Sequence, residues 1–153
     1  MIKKLELLIA PPLVALLFAL VAWFLAEWLF LGKFGPTTKL VAWGFIGLGL
    51  YFGVRANIDF RLAKTSLNPR HPNEASVLVT SGVFATSRNP MYLGLFLLLM
   101  GFGLMLESWW SLCLPILFLL YIQKFQIIPE ERILQKKFGK KYSDYCQAVR
   151  RWF

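Results

Sequence analysis

Four apolar blocks constrain this chain more than any other feature of its sequence. They run from about Leu5 to Leu31, Lys39 to Val54, Pro90 to Leu106 and Trp109 to Ile128, none shorter than 16 residues. A bilayer core asks for about 20 predominantly apolar residues per helix. Backbone polar groups in lipid must be satisfied internally, which a helix does by itself. Of the 153 residues 58% are hydrophobic, and the mean hydropathy is +0.58. A soluble domain of this size has no interior able to hide so much apolar surface. The expectation is an all-α integral membrane protein, one domain over residues 1–153. It has about four transmembrane helices, a polar loop, and amphipathic helices in a tail over 129–153.

The connections set the topology. Glu107-Ser108 leaves room only for a tight turn, so the third and fourth blocks form an antiparallel hairpin. Gly49 and Gly53 in the second block make a GxxxG pair, a smooth face suited to close helix packing within the chain or between copies. Residues 55–89 are polar and carry the turn signals Asn68-Pro69, His71-Pro72 and Ser81-Gly82. After Pro129, the apolar positions Ile133, Leu134, Phe138, Tyr142, Tyr145 and Val149 recur at helical spacing, with Gly139 as a break. Two short amphipathic helices are expected there.

Lys and Arg gather in the long loop (Arg55, Arg61, Lys64, Arg70, Arg88) and the tail (Arg132, Lys136, Lys137, Lys140, Lys141, Arg150, Arg151). By the positive-inside rule, both termini, the loop and the tail face the cytoplasm, across the inner or plasma membrane if the source is bacterial. The net charge of +9 then reads as basic loops against an anionic leaflet, not as a nucleic-acid footprint. Lys3 and Lys4 precede the first block without a small-residue cleavage site, so it reads as a retained span. Cys113 and Cys146 form no disulfide framework, and His71 is the single histidine, so no metal site is expected. Glu27, flanked by Trp23 and Trp28, reads as an interfacial acid. Gly47/Gly49 and Gly101/Gly103 lack the rest of a dinucleotide fingerprint.

Two constellations can carry chemistry. Arg88-Asn89-Pro90 opens the third helix with an N-cap residue and a proline at the first helical position. Alone it is a well-specified helix start. With its free N–H groups and the guanidinium it is also an anion site, with Tyr92 and Leu93 one turn in. Glu130, Glu131 and Arg132 follow Pro129, and the hairpin brings them near the start of the third helix. Neighbouring carboxylates point about 100° apart on a helix, so both rarely serve one ligand. They suit a helix N-terminus electrostatically, or they receive an ammonium or sulfonium group. Anion and cation sites at one membrane mouth match an amino-acid zwitterion.

Residues 78–94, LVTSGVFATSRNPMYLG, resemble the Leu-Val-Thr-x-Gly-x-Tyr-x-x-x-Arg-His-Pro-x-Tyr-x-Gly signature of the isoprenylcysteine carboxyl methyltransferase and phospholipid methyltransferase-like family. Residues 130–145, EERILQKKFGKKYSDY, are similar to that family's Glu-Glu-x-x-Leu…Phe-Gly-x-x-Tyr-x-x-Tyr tail. The resemblance implies S-adenosylmethionine as donor, leaving S-adenosylhomocysteine, with no metal. It implies a cofactor site of Val79, Gly82, Arg88, Asn89, Tyr92, Leu93 and Glu130, and catalytic roles among Glu130, Glu131, Arg88 and Arg132. The implied acceptor is a membrane lipid or lipophilic small molecule, of the isoprenylcysteine carboxylate type or a related one. A phospholipid amine or a thiol is the alternative within the class, and a non-enzymatic membrane scaffold the alternative outside it. Asn89 stands where the pattern has His, and Phe84 where it has Tyr. Asn can donate and accept but cannot titrate, so a histidine base is not available at this position.

Overall fold

A computed structural model describes residues 6–28, 35, 37–64 and 76–153. The expected turns at Asn68-Pro69 and His71-Pro72, and the charges Lys3, Lys4, Lys33 and Arg70, lie outside these residues. So do both ends of the first expected block. The helices are α1 (Pro11–Trp28), α2 (Thr37–Leu62), α3 (Pro90–Met105), α4 (Trp109–Ile122), α5 (Ile128–Phe138) and α6 (Lys140–Ala148), with a short 3-10 turn at Gly82–Ala85. There is no strand among the described residues. Among the described residues three stretches are long and apolar enough to cross a membrane: Pro11–Trp28, Thr37–Leu62 and Trp109–Phe138. The shorter apolar α3 packs against α1, α2 and α4. At 16 residues it is about 24 Å long.

The α2–α3 contact is antiparallel and backbone-close. A Cβ on Gly49 would lie 2.8 Å from the Gly94 carbonyl oxygen, one on Gly94 2.8 Å from that of Gly49, and one on Gly101 2.8 Å from that of Ala42. The expected glycine face therefore works inside the chain. Without a hydrophobic drive between helices in lipid, such close approach is what allows dispersion and dipole contacts to hold them. On the other side, α1 runs antiparallel to α4. Phe18 meets Phe118 edge-on at 5.8 Å, and Ser111 Oγ donates to the Ala22 carbonyl. At one end of the bundle Glu107, at φ +53° in the α3–α4 turn, pairs with Lys39 at 3.2 Å.

Two boundaries differ from the sequence reading. The second helix does not stop at Val54 but runs to Leu62. Its last two turns are polar yet remain helical because the Arg55–Asp59 pair, 3.2 Å apart at i,i+4, faces the chain itself. The fourth helix does not end at Ile128. It continues through a π-helical turn, Gln123–Ile127, into α5, while α5 and α6, broken at Gly139, are the two short tail helices that the sequence predicts. Pro129 has no N–H to offer Phe125, and a proline normally breaks the helix at this point. Here the wider π turn absorbs the ring, and the Phe125 carbonyl accepts the Leu7 N–H at 3.0 Å instead.

The glycine contact gives a direct test. Gly94→Ala forces α2 and α3 apart and costs about 1–3 kcal/mol, as overpacking does. Gly47→Ala, with nothing within 4 Å, leaves stability unchanged or slightly higher. Denaturant titration of the detergent-solubilised protein reads both.

Candidate functional site

The long loop returns to the bundle at residues 79–89 and is held by a residue that the sequence reading passed over. Asp59, buried at the end of α2, accepts the Val83 N–H at 3.0 Å and pairs with Arg55. Gly82 sits against it at φ +63°, and a Cβ there would lie 2.1 Å from Asp59 Oδ2. Only glycine satisfies both the left-handed backbone and the carboxylate beside it. Val79, Val83 and Phe84 then pack with Ala56, Phe52, Phe60 and Met91. Val79 and Gly82 thus act first by seating the loop on α2.

From Ser87 to Asn89 the loop meets the last residues of the chain. The Arg88 N–H donates to the Arg150 carbonyl at 3.1 Å. Ser87 Oγ and Asn89 Nδ2 both donate to the Arg151 carbonyl, at 3.2 and 3.1 Å. Asn89 does hold the N-cap position of α3, with Pro90 following, but its side chain makes no cap hydrogen bond. The Arg151 carbonyl has captured the amide. Further back, Tyr145 Oη donates to the Phe84 carbonyl at 2.7 Å, tying α6 to the loop. Burial pushes the phenols of Tyr142 and Tyr145 well above the ordinary tyrosine range, so both stay neutral.

The acidic pair divides as its helical spacing predicts. Glu130 turns to α3, where Tyr92 Oη donates to its Oε1. Glu131 turns to the arginines. Arg151 grips it with two hydrogen bonds, Nε to Oε1 at 3.0 Å and Nη2 to Oε2 at 2.7 Å. Arg88 Nη2 lies 3.2 Å from Oε1. The Arg88, Glu131 and Arg151 side chains are 13%, 20% and 32% exposed, so the cluster is shielded, and its formal charge is +1. The fork of hydrogen bonds that it donates to Glu131 holds the Arg151 guanidinium more firmly protonated than a free arginine. Arg88 Nε is buried with no hydrogen-bond partner among the described residues.

Not every expected residue joins this cluster. Arg132 is exposed and pairs outward with Glu6 at 2.9 Å. With Ile128, Glu131, Gln135, Lys136 and Arg151 it lines an open groove of about 600 Å³ beside the cluster. Leu93 is buried in the first turn of α3. Asp59, Ser87 and Arg151 were not read as site residues. Asp59 carried one signal, the i,i+4 spacing to Arg55. The Arg151 contacts cross 20 residues to Glu131 and more than 60 to Ser87 and Asn89, and leave no local trace. Among the described residues no group of His, Cys, Asp or Glu could hold a metal ion.

The Asp59 clamp is testable before any ligand is known. Asp59→Leu leaves the buried Val83 N–H unsatisfied, at a cost of about 1–3 kcal/mol. Hydrogen exchange at residues 82–87 should accelerate while α1 and α4 stay protected.

The phospholipid methyltransferase family profile matches residues 37–141, more than half of the chain. A protein-S-isoprenylcysteine O-methyltransferase of Schizosaccharomyces pombe is 32% identical over 111 residues, 71% of this chain and 46% of that protein. The chain spans about half the length of that relative. An uncharacterized protein of Haemophilus influenzae is 45% identical over 62 residues, 40% of this chain and 98% of that protein. No solved structure matches. The matched span takes in the Asp59 clamp, the Arg88-Asn89-Pro90 helix start and the Glu130–Glu131 pair, and the chain belongs to the phospholipid methyltransferase family of membrane methyltransferases.

Proposed function

We propose that the protein transfers a methyl group from S-adenosylmethionine to a lipophilic acceptor at the membrane surface. Its loop, its tail and both termini would face the cytoplasm. The observation that carries this reading is the buried Nε of Arg88, without a hydrogen-bond partner among the described residues, in a cluster of net charge +1, one helical turn from the Tyr92–Glu130 pair. A shielded arginine nitrogen without a partner is costly unless an anion comes to it. A carboxylate fits. Glu130 has one hydrogen bond among the described residues and is the acid placed to receive an ammonium group. The two halves of an amino-acid zwitterion thus have complementary residues in this chain.

When bound, the donor supplies a sulfonium methyl that is already electrophilic. The protein's own residues therefore position and shield. Arg88 holds the carboxylate, Tyr92 fixes Glu130, and the loop seated by Asp59 and Gly82 forms one wall. Asn89 is occupied with the Arg151 carbonyl and fixes the entry to α3. A carboxylate acceptor needs orientation and no base. An amine or thiol acceptor must lose a proton, and Glu130 is the group placed to take it. The groove beside Glu131, with Arg132, Lys136 and Arg151 on its walls, favours an acceptor with an anionic headgroup, of the isoprenylcysteine carboxylate or phospholipid kind. A scaffold role gives no reason for a buried guanidinium nitrogen without a partner.

Calorimetry with S-adenosylmethionine and S-adenosylhomocysteine on the detergent-purified protein tests the proposal. Arg88→Ala and Glu130→Ala should each weaken binding by about 10–100-fold, the worth of one charge-assisted hydrogen bond. A folded wild-type protein that binds neither ligand up to about a millimolar contradicts it.

A further inference from the structure

The Arg88–Glu131–Arg151 cluster contains a division of labour that neither family motif describes. Glu131 has two oxygens, and Arg151 takes both, at 3.0 and 2.7 Å. Arg88 reaches one of them, at 3.2 Å, through a single Nη, and its Nε stays unpartnered. If Arg151 were absent, the nearest cation for a shielded carboxylate would be Arg88. A two-pronged guanidinium–carboxylate pair is the preferred geometry. Arg88 would be drawn into that pair and neutralised.

We propose that Arg151 is a positioning residue for the donor site: it engages Glu131 so that the charge and the Nε of Arg88 stay unclaimed by that carboxylate and are left for the donor's carboxylate. The inference rests on the donor reading of the preceding section. The backbone explains how Arg151 is delivered. Its carbonyl is fixed by Ser87 and Asn89, the Arg88 N–H holds the Arg150 carbonyl, and Trp152 packs against the cluster of Val14, Tyr92, Phe118 and Ile122. The same three loop residues that present Arg88 thus hold the chain segment that keeps Arg88 unneutralised. Lysine does not replace Arg151, because a point charge cannot occupy both carboxylate oxygens.

The test is calorimetric, on the full chain in detergent, with S-adenosylhomocysteine and decarboxylated S-adenosylmethionine as probes. Arg151→Ala should weaken S-adenosylhomocysteine binding about tenfold or more and leave the decarboxylated probe within about threefold of wild type. Glu131→Gln added to Arg151→Ala should recover most of the lost affinity, since the competitor for Arg88 is then uncharged. Arg151→Lys, the milder change should the alanine variant not fold, should weaken S-adenosylhomocysteine binding selectively in the same way. Equal loss for both probes, or no recovery in the double variant, would mean that Arg151 only supports the fold, and the inference fails. Undiminished binding in Arg151→Ala also overturns it. A wild type that binds neither probe fails the donor reading itself, a separate result.

Discussion

Glu131 is the point on which this end of the molecule converges. One carboxylate joins the fourth membrane helix, through α5, to the start of α3 by Arg88 and to the last residues of the chain by Arg151. These three segments are separate in sequence, and Trp152, packed on the cluster of Tyr92, Ile122 and Ile127, joins them on the apolar side. Burying two guanidiniums and one carboxylate is costly unless each has good partners. The arrangement meets that cost with a two-pronged bond on one side and backbone hydrogen bonds around the rest. The surplus positive charge is what makes the cluster a site as well as a joint.

The rest of the fold serves this convergence. The glycine contact between α2 and α3 brings the end of α2 within reach of the returning loop, so that Asp59 can hold Val83. The π turn before Pro129 adjusts the azimuth of α5 relative to α4. Glu130 meets Tyr92 from that helix, while Glu131 meets the arginines. The carbonyl released by Pro129 binds the Leu7 N–H, and Glu6 reaches Arg132. The segment before α1 is thereby tied across the same junction.

Much of this was legible in the sequence because lipid simplifies the problem. Block length and the satisfaction of backbone groups give the helices, and Gly49 and Gly53 give the smooth face of α2, whose partner Gly94 only the structure identifies. The two motif segments, 78–94 and 130–145, do lie together at one end of the bundle. Other features were hidden for identifiable reasons. Polarity after Val54 reads as a loop, yet two more turns of α2 are stabilised by Asp59, whose partner is a backbone N–H 24 residues away. Asn89 has the propensity of an N-cap, but a carbonyl more than 60 residues distant competes for its side chain and wins. Pro129 reads as a helix end, because the option of a π turn depends on an acceptor of the freed carbonyl that lies at Leu7. Each miss is a long-range hydrogen bond overriding a local preference.

Glu131 assembles the loop, α5 and the final residues as one unit, and amide hydrogen exchange of wild type and Glu131→Gln in the same detergent is the measurement that decides it. Protection should fall together at residues 87–92 and 149–153, including the Arg88 amide bonded to Arg150, while the α2–α3 contact around Gly49 and Gly94 stays protected. Unchanged protection in either segment would contradict it, and would mean that the chain end and the loop are held by their backbone bonds without the carboxylate.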